Sequence, residues 1–188
     1  TDPKDPHGQD LEHLIHHLHL NEHRQVLLST EKTSLEGLSA LYNMADCTIN
    51  VSDAEGFGLS TLESLSCGTP IIATMTGGLQ EQITDGINWF GIPLYPTSKA
   101  IIGSQDVPYI YEDRTSKEHF FSAMSKMMAL GDEGRKKMGE LGMQHVNSNY
   151  NFSDFENNWV KLMLEVHEAH GSWETRKGYN TIKFKEVA

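Results

Sequence analysis

The residues with the most chemistry to offer lie in one short stretch, Asp53-Ala-Glu-Gly-Phe-Gly-Leu-Ser-Thr-Leu-Glu63. Two carboxylates, Glu55 and Glu63, bracket two glycines, and a helical pattern begins just after Gly58. Glycine lets a backbone bend sharply and approach a ligand closely. The first amides of a helix have no partner inside it and favour negative charge. The amides near Gly58, Leu59 and Ser60 therefore suit an anion. Glu63, about one turn into the helix, suits a sugar or ribose hydroxyl beside the same mouth. The set fits a ligand that carries both hydroxyls and phosphate.

Other chemistries compete for the same residues. Ser60-x-x-Glu63 is also a capping box, which assigns Glu63 to the helix end as readily as to a ligand. Gly56-x-Gly58 opens like a dinucleotide fingerprint, but Thr61 stands where the third glycine belongs. Asp53-Ala54-Glu55 resembles an acidic metal-binding triplet; without a substrate diphosphate to share the ion it reads as a solvated turn, and no metal is expected. His13, His16 and His17 gather on one helix, with His7, His19 and His23 nearby, and two histidines at i and i+4 can bind zinc. No carboxylate or cysteine in the pattern completes a closed shell. Leu11, Leu14, Ile15 and Leu18 take the inner face, so the histidines read as a solvated polar face.

The surrounding elements must position this turn. Val26-Leu27-Leu28 is a short apolar run of strand type, and Thr33-Ser-Leu-Glu36 is a capping box that opens a helix through Leu38, Leu41 and Tyr42. Cys47–Val51 is β-rich and leads into the turn. A helix follows near Leu59–Cys67 and stops at Gly68-Thr-Pro70. Ile71–Ala73 is a second buried strand, and Gly77-Gly78 opens a helix around Leu79–Thr84 that Asp85-Gly86 ends. Strand and helix alternating at these intervals predict a Rossmann-like parallel sheet flanked by helices. Ligands in such folds bind beyond the carboxyl ends of the strands, here the turns after Val51 and Ala73. From Trp89 to Asp113 the chain reads as irregular, with one short strand at Tyr109–Tyr111. From Thr115 onward it reads as helical, with capping boxes at Thr115-x-x-Glu118 and Ser153-x-x-Glu156. Phe120, Met124, Met127 and Met128 form one apolar stripe; Phe155, Trp159, Leu162 and Val166 form another. Residues 172–188 read as a tail with one possible strand, Thr181–Phe184. Trp173, Arg176 and Tyr179 read as packing residues of that tail.

Composition narrows the class. The 188 residues suffice for one domain with a core, at 38% hydrophobic and 22% charged. A formal net charge of −11 speaks against nucleic acid, whose binders draw affinity from phosphate neutralisation. No run of about 18 apolar residues spans a membrane, and no secretory leader is visible. The chain starts Thr1-Asp2-Pro3, without Met, and reads as a trimmed piece. Cys47 and Cys67, in apolar contexts, read as buried thiols of a reduced, cytoplasmic compartment.

Glu55-Gly-Phe-Gly-Leu-Ser-Thr-Leu-Glu63-Ser-Leu-Ser-Cys-Gly68-Thr-Pro70 resembles the Glu-x7-Glu signature of family 4 retaining glycosyltransferases, enzymes of the two-lobed GT-B fold. Leu41–Asp46 is similar to the helix before that signature strand. Gly77-Gly78-Leu-Gln-Glu81 and Asp85-Gly86 resemble the segment after it. Asp10–Asn21 resembles the family's helix and Leu-Gly-Leu turn, with His19 in the glycine's place. The likeness covers roughly Gly8–Gly91, more loosely Thr115–Gly171.

The resemblance implies a donor-binding domain over residues 1–171 that takes a nucleotide sugar for retaining transfer of a hexose to a hydroxyl acceptor. It needs no cofactor and no metal. It implies that Glu55 is catalytic and holds the donor sugar. Phe57, Gly58 and Leu59 are expected to offer amides to sugar and diphosphate, and Glu63 to hold the ribose. Ser29 and Thr30 are expected to line the nucleobase, and Gly77 and Gly78 to form a close-approach loop. The family's basic clamp on the diphosphate has no counterpart here. The acceptor-binding N-terminal lobe is expected as a missing partner, leaving the isolated chain inactive. A sugar-nucleotide isomerase lobe and a non-catalytic module of the same fold remain as alternatives.

Overall fold

The computed structural model describes residues 2–6, 8–20 and 25–178, and it divides the chain into two compact units, Thr1–Leu41 and Tyr42–Ala188.

The first unit holds α1 (Leu11–His17), where the Asp10 side chain accepts from the His13 N–H at 2.9 Å. His19, just after this helix, has a φ of 55°. That left-handed conformation favours glycine, the residue His19 replaces in the family pattern. His13, His16 and His17 are exposed, as expected, but α1 has no buried inner face, since Leu14 and Leu18 are exposed as well; His7 and His23 lie outside the described residues. The run Val26–Leu28 is not a strand. No strand among the described residues pairs with it, and Leu27 is 82% exposed. Three apolar residues make a strand only where a neighbour completes their ladder. α2 (Leu35–Met44) begins one residue later than its capping box predicts: Ser34 Oγ, rather than the Thr33 hydroxyl, accepts from the Gly37 N–H at 3.1 Å.

The second unit is built on three parallel strands, β1 (Thr48–Asn50), β2 (Ile71–Thr74) and β3 (Gly91–Leu94), in the order β1-β2-β3. α3 (Leu59–Ser66) connects the first pair and α4 (Leu79–Gln82) the second. Every residue of β2 is buried, as a central strand covered on both faces requires. Its side chains alternate between two cores. Ile71 and Ala73 pack with Leu65, Leu79, Ile83, Phe90 and Val146, whereas Ile72 packs with Leu94, Ala123 and Met127. The expected α/β class, a parallel sheet flanked by helices, is what the chain forms.

The segment expected to be irregular contains β3, and with it a two-stranded antiparallel hairpin of β4 (Ser98–Ile102) and β5 (Ile110–Arg114). Pro93 disguises β3, because proline cannot donate to a ladder. The Leu94 carbonyl accepts from the Met75 N–H at 2.9 Å, so Pro93 turns its backbone away from β2.

Three helices follow: α5 (Lys117–Ala129), α6 (Gly131–Asn149) and α7 (Phe152–His170). Their caps also shift from the predicted boxes. Ser116 rather than Thr115 accepts from the His119 N–H, and Asn151 rather than Ser153 accepts from the Asp154 N–H. Where several oxygen-bearing side chains run together, the one held extended at the helix start takes the bond. Of the first apolar stripe, Met127 is buried but Met128 is 72% exposed, and Ala123 takes the inner place. The second stripe lies on α7, which buries none of its residues. Cys47 and Cys67 are partly buried thiols, and burial pushes the Cys47 thiol up. Trp173 and Arg176 stack on each other at 3.6 Å; Tyr179 and Thr181–Phe184 lie outside the described residues. Among the described residues, no helix is long and apolar enough to cross a membrane.

Candidate functional site

The turn after β1 is organised by its own strand. Asn50 Oδ1 accepts from both the Ser52 N–H at 3.1 Å and the Ser52 hydroxyl at 2.7 Å, while Asn50 Nδ2 donates to Thr61 Oγ1 at 3.4 Å. One side chain thus ties the strand end to the turn and to the first turn of α3. Glu55 follows, half-buried, with its Oε2 3.5 Å from the Ser52 hydroxyl. Phe57 is half exposed, Leu59 is exposed and Gly58 is buried.

Gly58 is the N-cap of α3, with a φ of 87°, and among the described residues no side chain caps this helix. The start of α3 therefore presents open amides, the arrangement that accepts an anion. It also bears on the capping-box reading of Glu63. The helix begins at Leu59, so Ser60 lies inside it and cannot cap it, and Glu63 lies past its first turn. The capping-box reading is incorrect. The Glu63 carboxylate is exposed and accepts instead from the Tyr42 hydroxyl at 2.9 Å. Burial, and then this hydrogen bond, push the Tyr42 hydroxyl up to about 12.

Gly77 and Gly78 form the close-approach loop, and what they approach is the Glu55 turn itself. A Cβ on Gly77 would run into the Glu55 carbonyl oxygen, and one on Gly78 would sit 2.7 Å from the Phe57 oxygen. The Gly78 N–H donates to the Gly56 carbonyl at 3.1 Å. Gln82, fully buried, donates a short hydrogen bond from Nε2 to the Phe57 carbonyl. The turn of β2 and the start of α4 thus form a floor under residues 55–57. The hairpin reaches the turn at Asp53: the Asp113 N–H donates to its carbonyl at 2.8 Å, and Arg114 Nη1 meets its carboxylate at 2.7 Å.

Beside the start of α3 opens a cavity of about 690 Å³ lined by Phe57, Leu59, Leu62, Tyr150, Phe155 and Trp159, among others; neither Glu55 nor Glu63 lines it. Tyr150 meets the Phe57 ring edge-on at 6.2 Å.

The structure thus brings Glu55, Phe57, Gly58, Gly77 and Gly78 together. Ser29 and Thr30 belong to the first unit, where both are exposed and outside helix and strand. Sequence reasoning missed Tyr42, Asn50, Gln82 and Arg114. Tyr42 carried a signal, a phenol on the helix before the signature strand; Gln82 and Arg114 carried none, because their partners are distant in sequence.

Comparison with known proteins places this architecture. A family model described as "Glycosyl transferases group 1" matches residues 4–138. The D-inositol 3-phosphate glycosyltransferase of Thermobifida fusca is 29% identical over 104 residues, 55% of this chain and 19% of that protein. Sucrose-phosphate synthase from Thermosynechococcus elongatus superposes with a TM-score of 0.65 at 22% identity, over 88% of this chain and 37% of that one. Anabaena HepE, solved in complex with UDP and glucose, superposes with a TM-score of 0.60 at 15% identity, over 82% and 35% of the two chains. The chain therefore spans well under half the length of these relatives. With the family match running through both units, from before α1 into α6, and the fold shared with such enzymes, the chain belongs to the group 1 glycosyltransferases.

Proposed function

We propose that residues 1–171 form the donor-binding, C-terminal lobe of a family 4 retaining glycosyltransferase, one that transfers a hexose from a nucleotide sugar to a hydroxyl acceptor. One observation carries the reading. The start of α3 is open at Gly58, and the glutamate turn that leads into it is held by two glycines and a buried glutamine. Backbone donors held rigidly where charge develops are what diphosphate departure needs. The amides of Phe57, Gly58 and Leu59 receive the leaving charge. Glu55 orients the donor sugar and stabilises its oxocarbenium-like state, and Glu63 holds the ribose. Ser29 and Thr30 line the nucleobase. The nucleotide and sugar bound by Anabaena HepE, which shares the fold, agree with this ligand class.

The acceptor enters from a second lobe, and the closed cleft completes the site. The exposed Phe155, Trp159, Leu162 and Val166 on α7 support a missing partner, since large apolar patches mark interaction surfaces.

A thermal-shift screen of nucleotide sugars on the full-length protein, followed by product analysis with acceptors, tests the proposal. A donor that raises Tm and a product of retained anomeric configuration are expected. Donor epimerised without acceptor marks an isomerase; no response to any nucleotide sugar marks a non-catalytic module.

A further inference from the structure

We propose that Arg114, on the hairpin outside the parallel sheet, is a positioning residue for the turn that carries Glu55. The inference rests on the donor-site reading above for its consequence in catalysis, but not for its geometry. The Glu55 side chain has a weak hold of its own, the 3.5 Å contact with Ser52. Its place is set by the backbone around it. Gly77, Gly78 and Gln82 support residues 55–57. At the entry to the turn Asn50 holds Ser52, and the base of the hairpin holds Asp53.

Arg114 gathers that base together. Its guanidinium meets the Asp53 carboxylate at 2.7 Å and the Glu112 carboxylate at 2.8 Å, and it donates to the Asp113 carbonyl at 3.2 Å. Its own carbonyl accepts from the Thr97 N–H at 2.8 Å and the Thr97 hydroxyl at 3.1 Å, closing the hairpin. This ordering aims the Asp113 N–H at the Asp53 carbonyl, 2.8 Å away. A lone ion pair at this exposure contributes little to stability. A planar fork that meets two carboxylates while its backbone closes a hairpin fixes geometry instead. Lysine, a single point charge, reproduces the attraction but not the fork. Displacement of a catalytic group by an ångström costs on the order of 10²-fold in rate, so the effect belongs in kcat.

Residue-resolved amide exchange of this chain reads the tether without substrate. In Arg114→Gln the amides of Asp113 and Gly78, bonded to Asp53 and Gly56 across the turn, exchange faster by about 10-fold or more while those of β2 are unchanged. Arg114→Lys falls between wild type and Arg114→Gln, and Asp53→Asn shifts the same two amides in the same direction. In the full-length enzyme, Arg114→Gln lowers kcat by about 10- to 100-fold with donor KM within about 2-fold, and Arg114→Lys recovers part of the loss. Unchanged exchange at Gly78, loosening spread equally into β2, or an unchanged kcat in an active enzyme overturns the inference. A wild-type full-length protein without transfer defeats the glycosyltransferase reading, while the exchange data still decide the tether.

Discussion

At the scale of single residues the two glutamates of the signature hold different positions, and their variants should separate. Glu55 stands in the turn with little of its own to bind, whereas Glu63 stands on α3 against the Tyr42 hydroxyl. On the proposed reading Glu55→Gln removes charge where positive charge develops, and kcat should fall by a factor on the order of 10². On the same reading Glu63→Gln removes a ribose contact made in ground and transition states alike, so donor KM should rise more than kcat falls. Steady-state kinetics of both variants in the full-length enzyme make the comparison. Thermal melts of Glu63→Gln should stay near wild type, because Gly58 and not Ser60 begins the helix. Tyr42 adds a pH signature. Its hydroxyl is raised from 10.0 to about 12 in the folded chain, so the folded state holds its proton where the unfolded state has lost it. Stability from this group is complete below about pH 10 and is lost as pH rises through about 12. Urea melts between those limits should show a shallower decline in Tyr42→Phe.

At the scale of elements, the site depends on backbone meeting backbone. Ala at Gly77 would place a Cβ against the Glu55 carbonyl, and its φ of 48° disfavours a side chain as well. Gly77→Ala should cost on the order of 1–3 kcal/mol, read as the shift in urea midpoint. In the full-length enzyme it should also lower turnover, because the floor under the turn moves. How far the elements were legible follows from what each one rests on. β1, α3, β2 and α4 were readable because short apolar runs and glycine stops are local signals. β3 was hidden by Pro93, whose tolerance there depends on β3 lying at the edge of the sheet, a fact of topology. The strand expected at Val26–Leu28 failed for the converse reason: the pattern was present and, among the described residues, a pairing neighbour was not. Glu55, Phe57, Gly58 and the glycine pair were legible from spacing and resemblance. Arg114 and Gln82 were not, since neither lies near the turn in sequence.

At the scale of the whole molecule, the chain covers 37% of the sucrose-phosphate synthase it resembles and leaves the apolar stripe of α7 exposed. By itself it should show no glycosyl transfer, and nucleotide-sugar consumption at about 1 per second or faster would defeat that expectation. On the proposed reading the open amides of α3 help carry the diphosphate charge without a divalent ion. Activity of the full-length enzyme should survive excess chelator; a strict magnesium or manganese requirement would return Asp53-Ala-Glu55 to consideration as metal ligands. The order β1-β2-β3 has one more consequence. Pro93 removes a donor from the outer row of β3, which makes that border a poor template for another strand. Growth of the sheet is thereby directional: any strand that joins it, from this polypeptide or another molecule, is steered to the border beside β1, and arrives next to Asn50 and the turn it organises.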